Sequence, residues 1–121
     1  PNDMLTFTGE QTPYQVAQWM QQSDCFVLFS NYENAPVVLS ECLATGLPII
    51  SSRAGGIPEM ITETDGILVN TQDEHQLTNA MLWMMEYTSN YLPQHIREHG
   101  CKYSYTAVGK QLVDLYQKVM S

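Results

Sequence analysis

Residues 25–52 read CFVLFSNYENAPVVLSECLATGLPIISS. Cys25 to Phe29 form an unbroken apolar run of strand length. Such a run suits a strand buried on both faces, as in a parallel sheet. A polar loop from Ser30 leads to Pro36. A proline fits the first turn of a helix, because its missing N–H would find no partner there anyway. Val37 to Thr45 reads as that helix, stopped by Gly46. Pro48-Ile49-Ile50-Ser51-Ser52 predicts the next short strand. A strand, a helix and a strand in so short a span make a βαβ unit with parallel strands.

The same alternation extends in both directions. Upstream, Leu5 to Thr8 predicts a short strand ending at Gly9. Tyr14 to Gln22 has apolar residues at Val16, Ala17, Trp19 and Met20, a helix introduced by Thr12-Pro13. Downstream, Ile57 to Thr62 predicts a short helix with Pro58 early. Ile67 to Val69 predicts a last strand after an Asp65-Gly66 turn. Then the strands stop. Asp73 to Thr88 is a long helix with Leu77, Ala80, Met81, Met84 and Met85 on one face. Pro93 to His99 is another. Tyr105 to Met120 closes the chain, with Val108, Leu112, Leu115, Tyr116 and Val119 at helical spacing. The class is α/β, with helices on both faces of a parallel sheet and further helices at the C-terminal end.

The chain has 121 residues and forms at most one domain. It carries 13 acidic against 5 Lys and Arg side chains, a net charge of −8. That argues against nucleic acid as a partner, because phosphate binding needs clustered Lys and Arg. It argues equally against an anionic membrane surface. No segment has 18 consecutive apolar residues, so no integral membrane segment is expected. The chain begins Pro1-Asn2-Asp3 and reads as a piece of a longer protein. Cys25, Cys42 and Cys101 are odd in number and lack C-x-x-C spacing. They read as reduced, buried thiols of a cytoplasmic protein.

In parallel sheets, ligands bind beyond the carboxyl ends of the strands. Three such ends draw attention: Thr8-Gly9-Glu10, Ser30-Asn31-Tyr32-Glu33 and Ser52-Arg53-Ala54-Gly55-Gly56. At the second, the amides of Val37 to Leu39 are predicted to lack partners inside the helix. Together with the positive end of the helix dipole they make an anion site without any basic side chain. Glu33 and Glu41 flank it. Carboxylates beside a bound phosphate, rather than on it, suit sugar hydroxyls. The arrangement predicts a phosphate with a polyol on either side, the layout of a nucleotide sugar. Solvated surface charge or helix capping is the plain alternative for both acids.

Glu33 and Glu41, spaced E-x7-E, together with Cys42 to Ile50, closely resemble the E-x7-E region of retaining GT-B glycosyltransferases. That large family, the glycosyl transferases group 1, also resembles glycogen and sucrose synthases. Leu5-Thr6-Phe7-Thr8-Gly9 resembles its V-x-F-x-G strand and Ser23-Asp24-Cys25-Phe26-Val27 its A-D-x-x-V. Gly55-Gly56-Ile57-Pro58-Glu59 resembles its G-G-x-x-E and Gly66-Ile67-Leu68-Val69 its G-x-L-V. Tyr105 and Tyr116 fit its closing helix. The resemblance runs over nearly the whole chain.

It implies a Rossmann-like sheet, the later part of a GT-B C-terminal domain that binds a nucleotide-sugar donor. Glu33 would face the donor sugar near the reacting centre. Backbone amides from Asn34 and Ala35 to Val37 and Val38 would hold the diphosphate, and Glu41 the ribose. The turn at Gly9, Glu10 and Gln11 would lie near the base. No metal and no cofactor is implied; the nucleotide sugar is substrate. The reaction would pass a sugar to an acceptor hydroxyl with retention, in glycan, polysaccharide or lipid-glycan synthesis. The parent protein would be cytoplasmic or at the inner face of the membrane, and the fragment alone inactive.

Two departures stand out. Where the family often has Phe-Gly after the first glutamate, this chain has Asn34-Ala35-Pro36. Pro36 donates no hydrogen bond, which puts the phosphate on Val37 and Val38. The resemblance also leaves out the N-terminal acceptor domain and the first two strands of the donor domain, with their basic pair. In the order 3-2-1-4-5-6, Leu5 to Thr8 would be strand 3 without its neighbours. The first strand is therefore expected to be rearranged or to pair with another copy, or else strand 4 is left as an open edge. A homodimer through that edge or through an apolar helix face would follow.

Other motifs read more plainly. His95-Ile96-Arg97-Glu98-His99 matches H-x-x-E-H, the remote alternative of a zinc hydrolase, against a polar surface helix. Met81-Leu82-Trp83-Met84-Met85 reads as core packing. Gly55-Gly56 reads as a loop, and Arg53 as a surface arginine. A non-catalytic nucleotide-binding or oligomerising α/β module is the alternative to the enzyme.

Overall fold

The computed structural model describes residues 4–33, 36–101, 113–114 and 117–118. In chain order they form α1 (Pro13–Gln22), β1 (Phe26–Leu28), α2 (Val37–Thr45), β2 (Ile49–Ser52), α3 (Ile57–Met60), β3 (Gly66–Val69), α4 (Glu74–Tyr87), a 3₁₀ turn (Thr88–Asn90) and α5 (Pro93–Gly100). The sheet is parallel, in the order β1-β2-β3. Phe26 pairs with Ile49, and Ile49 with Gly66.

The central strand β2 is buried at all four residues, as an apolar run covered on both faces requires. Its alternate side chains enter two cores. Ile49 joins Met20, Leu39, Leu43, Ile57 and Ile96, under α1, α2, α3 and α5. Ile50 joins Val69, Ala80 and Met84, under α4. Helices thus lie on both faces, as the alternation predicts.

Local chemistry sets the helix ends. Thr12 and Gln15 form a reciprocal capping box at α1: the Gln15 N–H donates to Thr12 Oγ1 and the Thr12 N–H to Gln15 Oε1. Asp73 caps α4 by accepting from the Gln76 N–H. Gly46 ends α2 at φ 79°, in the left-handed region. Its N–H reaches the Leu43 carbonyl, and the Leu47 N–H reaches that of Cys42, a Schellman ending.

Four expectations change. Residues 5–9 form no strand: Leu5 is exposed and Phe7 is 93% exposed. A strand needs a hydrogen-bonded neighbour, and this segment has none among the described residues. The outer edge of β1, the fourth strand of the predicted order, is unpaired among the described residues. Secondly, α3 stops at Met60, because Ile61 is extended. Thirdly, Gly66 lies in β3 rather than in a turn. A Cβ there would stand 1.7 Å from the Ile49 carbonyl oxygen, so only glycine lets the strands approach. Fourthly, the 81–85 run is not core packing as a whole. Only Met84 of it is buried, and Met85 is 81% exposed. α4 spans one patch of sheet, so one stripe of it finds cover. Val113, Asp114, Gln117 and Lys118 are helical; the rest of the predicted helix over 105–120 lies outside the described residues.

Candidate functional site

Two predicted loops meet at the carboxyl end of the sheet. Ser30 follows β1 and Ser52 ends β2. The buried Ser52 hydroxyl donates to the Ser30 carbonyl, tying the two strand ends together. The Ser30 hydroxyl in turn donates to Glu33 Oε1 at 2.9 Å. Glu33 is half-buried and is held over the strand ends by this two-step relay. The relay escaped the sequence reading, although its residues stand in the motif: a serine three before Glu33 and a serine closing the next strand.

α2 begins beyond that loop. Its N-cap is Pro36, which gives no side-chain hydrogen bond to the first turn. By helix geometry the Val37 and Val38 amides have no acceptor within the helix. Leu39 is a correction: its N–H donates to the Pro36 carbonyl at 3.1 Å, which closes the turn and leaves two amides rather than three. Val37 is 70% exposed and Glu41 is exposed, one helical turn apart on the same open face. Leu39, Cys42 and Leu43 turn inward and anchor the helix. Asn34 and Ala35 lie outside the described residues.

The Gly9 turn sits at the N-terminal end of α1. α1 ends just before β1 begins and packs into the core beneath it through Met20. It must therefore run back along the sheet, which sets its N-terminal end beside the strands' carboxyl ends. Gly9 has φ 67° and is exposed. Gln11 organises this turn. Its Nε2 donates to the carbonyls of Thr8 (2.8 Å) and Glu10 (3.0 Å), and its Oε1 accepts from Trp19 Nε1 (3.1 Å). Glu10 is exposed.

Arg53 follows β2, where its backbone N–H binds the Val69 carbonyl, and its side chain is exposed. A cavity of about 950 Å³ lies elsewhere, along β3; it takes in Arg53 and none of the predicted site residues. Among the described residues no three His, Cys, Asp or Glu side chains converge to hold a metal. The H-x-x-E-H segment has structural work. His99 Nδ1 lies 2.7 Å from Oδ2 of Asp65, a fully buried carboxylate that also accepts from the Thr62 N–H and hydroxyl. α5 is the surface helix of the plain reading, with Gln94, His95, Arg97 and Glu98 exposed, and it anchors itself through the fully buried Ile96. The Cys25 thiol is pushed up to about 11 and that of Cys42 to about 12, mainly by burial, so both stay protonated and unreactive at neutral pH.

The sequence profile of the family described as "Glycosyl transferases group 1" matches residues 2–87. A D-inositol 3-phosphate glycosyltransferase of Corynebacterium urealyticum is 27% identical over 118 residues, 95% of this chain and 28% of that protein. Among solved structures, sucrose-phosphate synthase from Thermosynechococcus elongatus superposes with a TM-score of 0.87 at 28% identity, over 98% of this chain and 31% of that one. Anabaena HepE, solved with UDP-glucose, superposes with a TM-score of 0.73 at 18% identity over 85% of this chain and 30% of its own, a likeness of fold. The chain spans less than a third of the length of each of these proteins.

Proposed function

The chain belongs to the glycosyl transferases group 1 family, and from that premise we propose that it is the donor-binding part of a retaining glycosyltransferase. The parent protein moves a sugar from a nucleotide to an acceptor hydroxyl. The bond from the anomeric carbon to the diphosphate oxygen breaks, a bond to the acceptor oxygen forms on the same face, and the acceptor proton passes to the departing diphosphate, which leaves as the nucleoside diphosphate.

The observation that carries this reading is the uncapped start of α2 beside the tethered Glu33. The amides of Val37 and Val38, with Asn34 and Ala35 in the loop before them, stabilise the leaving diphosphate. The Val37 and Val38 amides do so as preoriented dipoles, which need no reorganisation as charge develops. Glu33 takes the sugar hydroxyls near the reacting carbon. Glu41, a turn along the same open face, takes the ribose. Gly9, Glu10 and Gln11 border the base. A nucleotide-sugar donor is also supported by the neighbour solved with UDP-glucose. Pairing with an acceptor domain of the same parent chain is part of the proposal, supported by the chain's spanning less than a third of the length of its relatives.

The test uses the full-length parent protein. Glu33→Gln is expected to lower kcat by about 10²-fold or more with donor affinity changed little, as loss of a group acting at the reacting centre does. Glu41→Ala is expected to raise the KM for donor about tenfold with kcat nearly unchanged. Calorimetry with a panel of nucleoside diphosphates reads donor binding directly. Unchanged turnover in both variants overturns the assignment. Nucleotide binding without transfer of any sugar would favour a non-catalytic module instead.

A further inference from the structure

The outer edge of β3, unpaired among the described residues, borders a cavity of about 950 Å³ on the far side of the sheet from β1. β3 turns the carbonyls of Asp65 and Val69 toward β2, where they accept from Ile49 and Arg53. The backbone groups of Gly66 and Leu68 therefore point the other way, into the open edge. Two aromatic rings stand over this edge. Trp83 and Tyr91 meet edge to face, with centroids 5.9 Å apart and planes at 80°. Tyr87 packs on Trp83 at 5.0 Å and supports its ring. A second cavity of about 260 Å³ shares Glu63, Trp83 and Tyr91, so the groove continues past the tryptophan.

Part of the polar lining is bound elsewhere: the Thr62 hydroxyl contacts Thr64 and Asp65. Arg53, Glu63 and Asn79 reach the cavity, and their side chains make no hydrogen bond or ion pair among the described residues. Gln76 uses its Oε1 on the Asn70 N–H, and its amide nitrogen has no partner among the described residues. One cation and one carboxylate leave the lining without a dominant sign. A strongly charged ligand has nothing here to select it.

We propose that this groove binds a neutral carbohydrate chain, as a holding site for acceptor or product glycan apart from the donor site. A pyranose ring has an apolar C–H face and a rim of hydroxyls. The face matches an exposed aromatic ring, and the rim needs donors and acceptors together, which Arg, Asn, Gln and Glu supply. The four residues of β3 span about 13 Å at the usual rise per residue, room for roughly two or three sugar rings. Choosing a glycan over an extended peptide, which the open edge would also accept, rests on the sugar-transfer reading.

The full-length parent protein, titrated calorimetrically with malto-, cello- and chito-oligosaccharides, tests this. At least one series is expected to bind. Trp83→Ala and, independently, the exposed Asn79→Ala are each expected to weaken that binding about tenfold. Trp83→Phe, which keeps a ring for Tyr87 and Tyr91 to pack on, is expected to retain most of it. Nucleoside diphosphate affinity is expected to be the same in all four proteins. If none of the series binds, or if both alanine variants bind like the parent, the groove is not a glycan site. Capture of extended peptides at the β3 edge, lost in Trp83→Ala and not displaced by sugars, also overturns it. Transfer activity with no oligosaccharide effect sinks this inference alone; oligosaccharide binding without donor binding sinks the donor site alone.

Discussion

Glu33, the acid proposed to face the donor sugar, is positioned through two hydroxyls, those of Ser30 and Ser52. Removing the Ser52 hydroxyl frees the Ser30 carbonyl and with it the loop that carries Glu33. Ser52→Ala is therefore expected to lower transfer by the parent protein several-fold while the chain stays folded. Ser52→Thr, which keeps a hydroxyl, is expected to recover part of it; steady-state kinetics of the three proteins would tell. The cysteines give a second prediction. Their folded pKa values, about 11 for Cys25 and about 12 for Cys42, stand above the ordinary 9.0. Above pH 9 the unfolded thiols ionise while the folded ones hold their protons, so the unfolded state gains. Stability from these groups is fully present below pH 9 and is lost as pH rises through about 11 to 12. Denaturant midpoints followed across that window should fall, and fall less in Cys42→Ala after allowance for its lower starting stability. At pH 8 a thiol reagent should modify exposed Cys101 first and Cys42 only on unfolding.

The pairing of α2 with α5 sets how firmly the site is held. Gly46 lies in the left-handed region, and a Cβ on it would meet the Pro93 carbonyl oxygen at 2.7 Å. Gly100 comes as close to Leu43. Each glycine therefore lets one helix touch the other. Gly46→Ala is expected to cost roughly 2–3 kcal/mol, from backbone strain and overpacking together. Ile96, fully buried between the helices, should cost about 2–5 kcal/mol on replacement by alanine, as a large-to-small core change does. Urea unfolding of the two variants checks both figures. α2 itself was legible to the residue, because Pro36 and Gly46 bracket it with opposite chemistry. The α5 contact was not, because the sequence shows one buried position, Ile96, among polar neighbours. The Asp65–His99 pair joins residues far apart in the chain, and no local pattern announces such a pair.

At the scale of the whole molecule, the outer edge of β1 is unpaired among the described residues. Val27 is 39% exposed on β1, beside Ile50 on the sheet face that carries α4. Met81, Leu82 and Met85 are exposed on α4 itself. An unpaired edge beside uncovered apolar surface attracts partners. The chain expressed alone is expected to self-associate, and Val27→Lys with Met85→Lys to shift it toward monomer; sedimentation velocity at several concentrations would decide. The sequence by itself determined the α/β alternation, the parallel strands, the limits of α2 and the motif pair Glu33 and Glu41. These follow from periodicity, caps and spacing, which act between residues near in the chain. Tertiary structure alone decided that Leu5 to Thr8 stays unpaired, that Met81 and Met85 face outward, and that Ser52 holds the Glu33 loop. A strand exists only beside a neighbour, an apolar residue is core only where something covers it, and a hydroxyl becomes a tether only when folding brings an acceptor within reach.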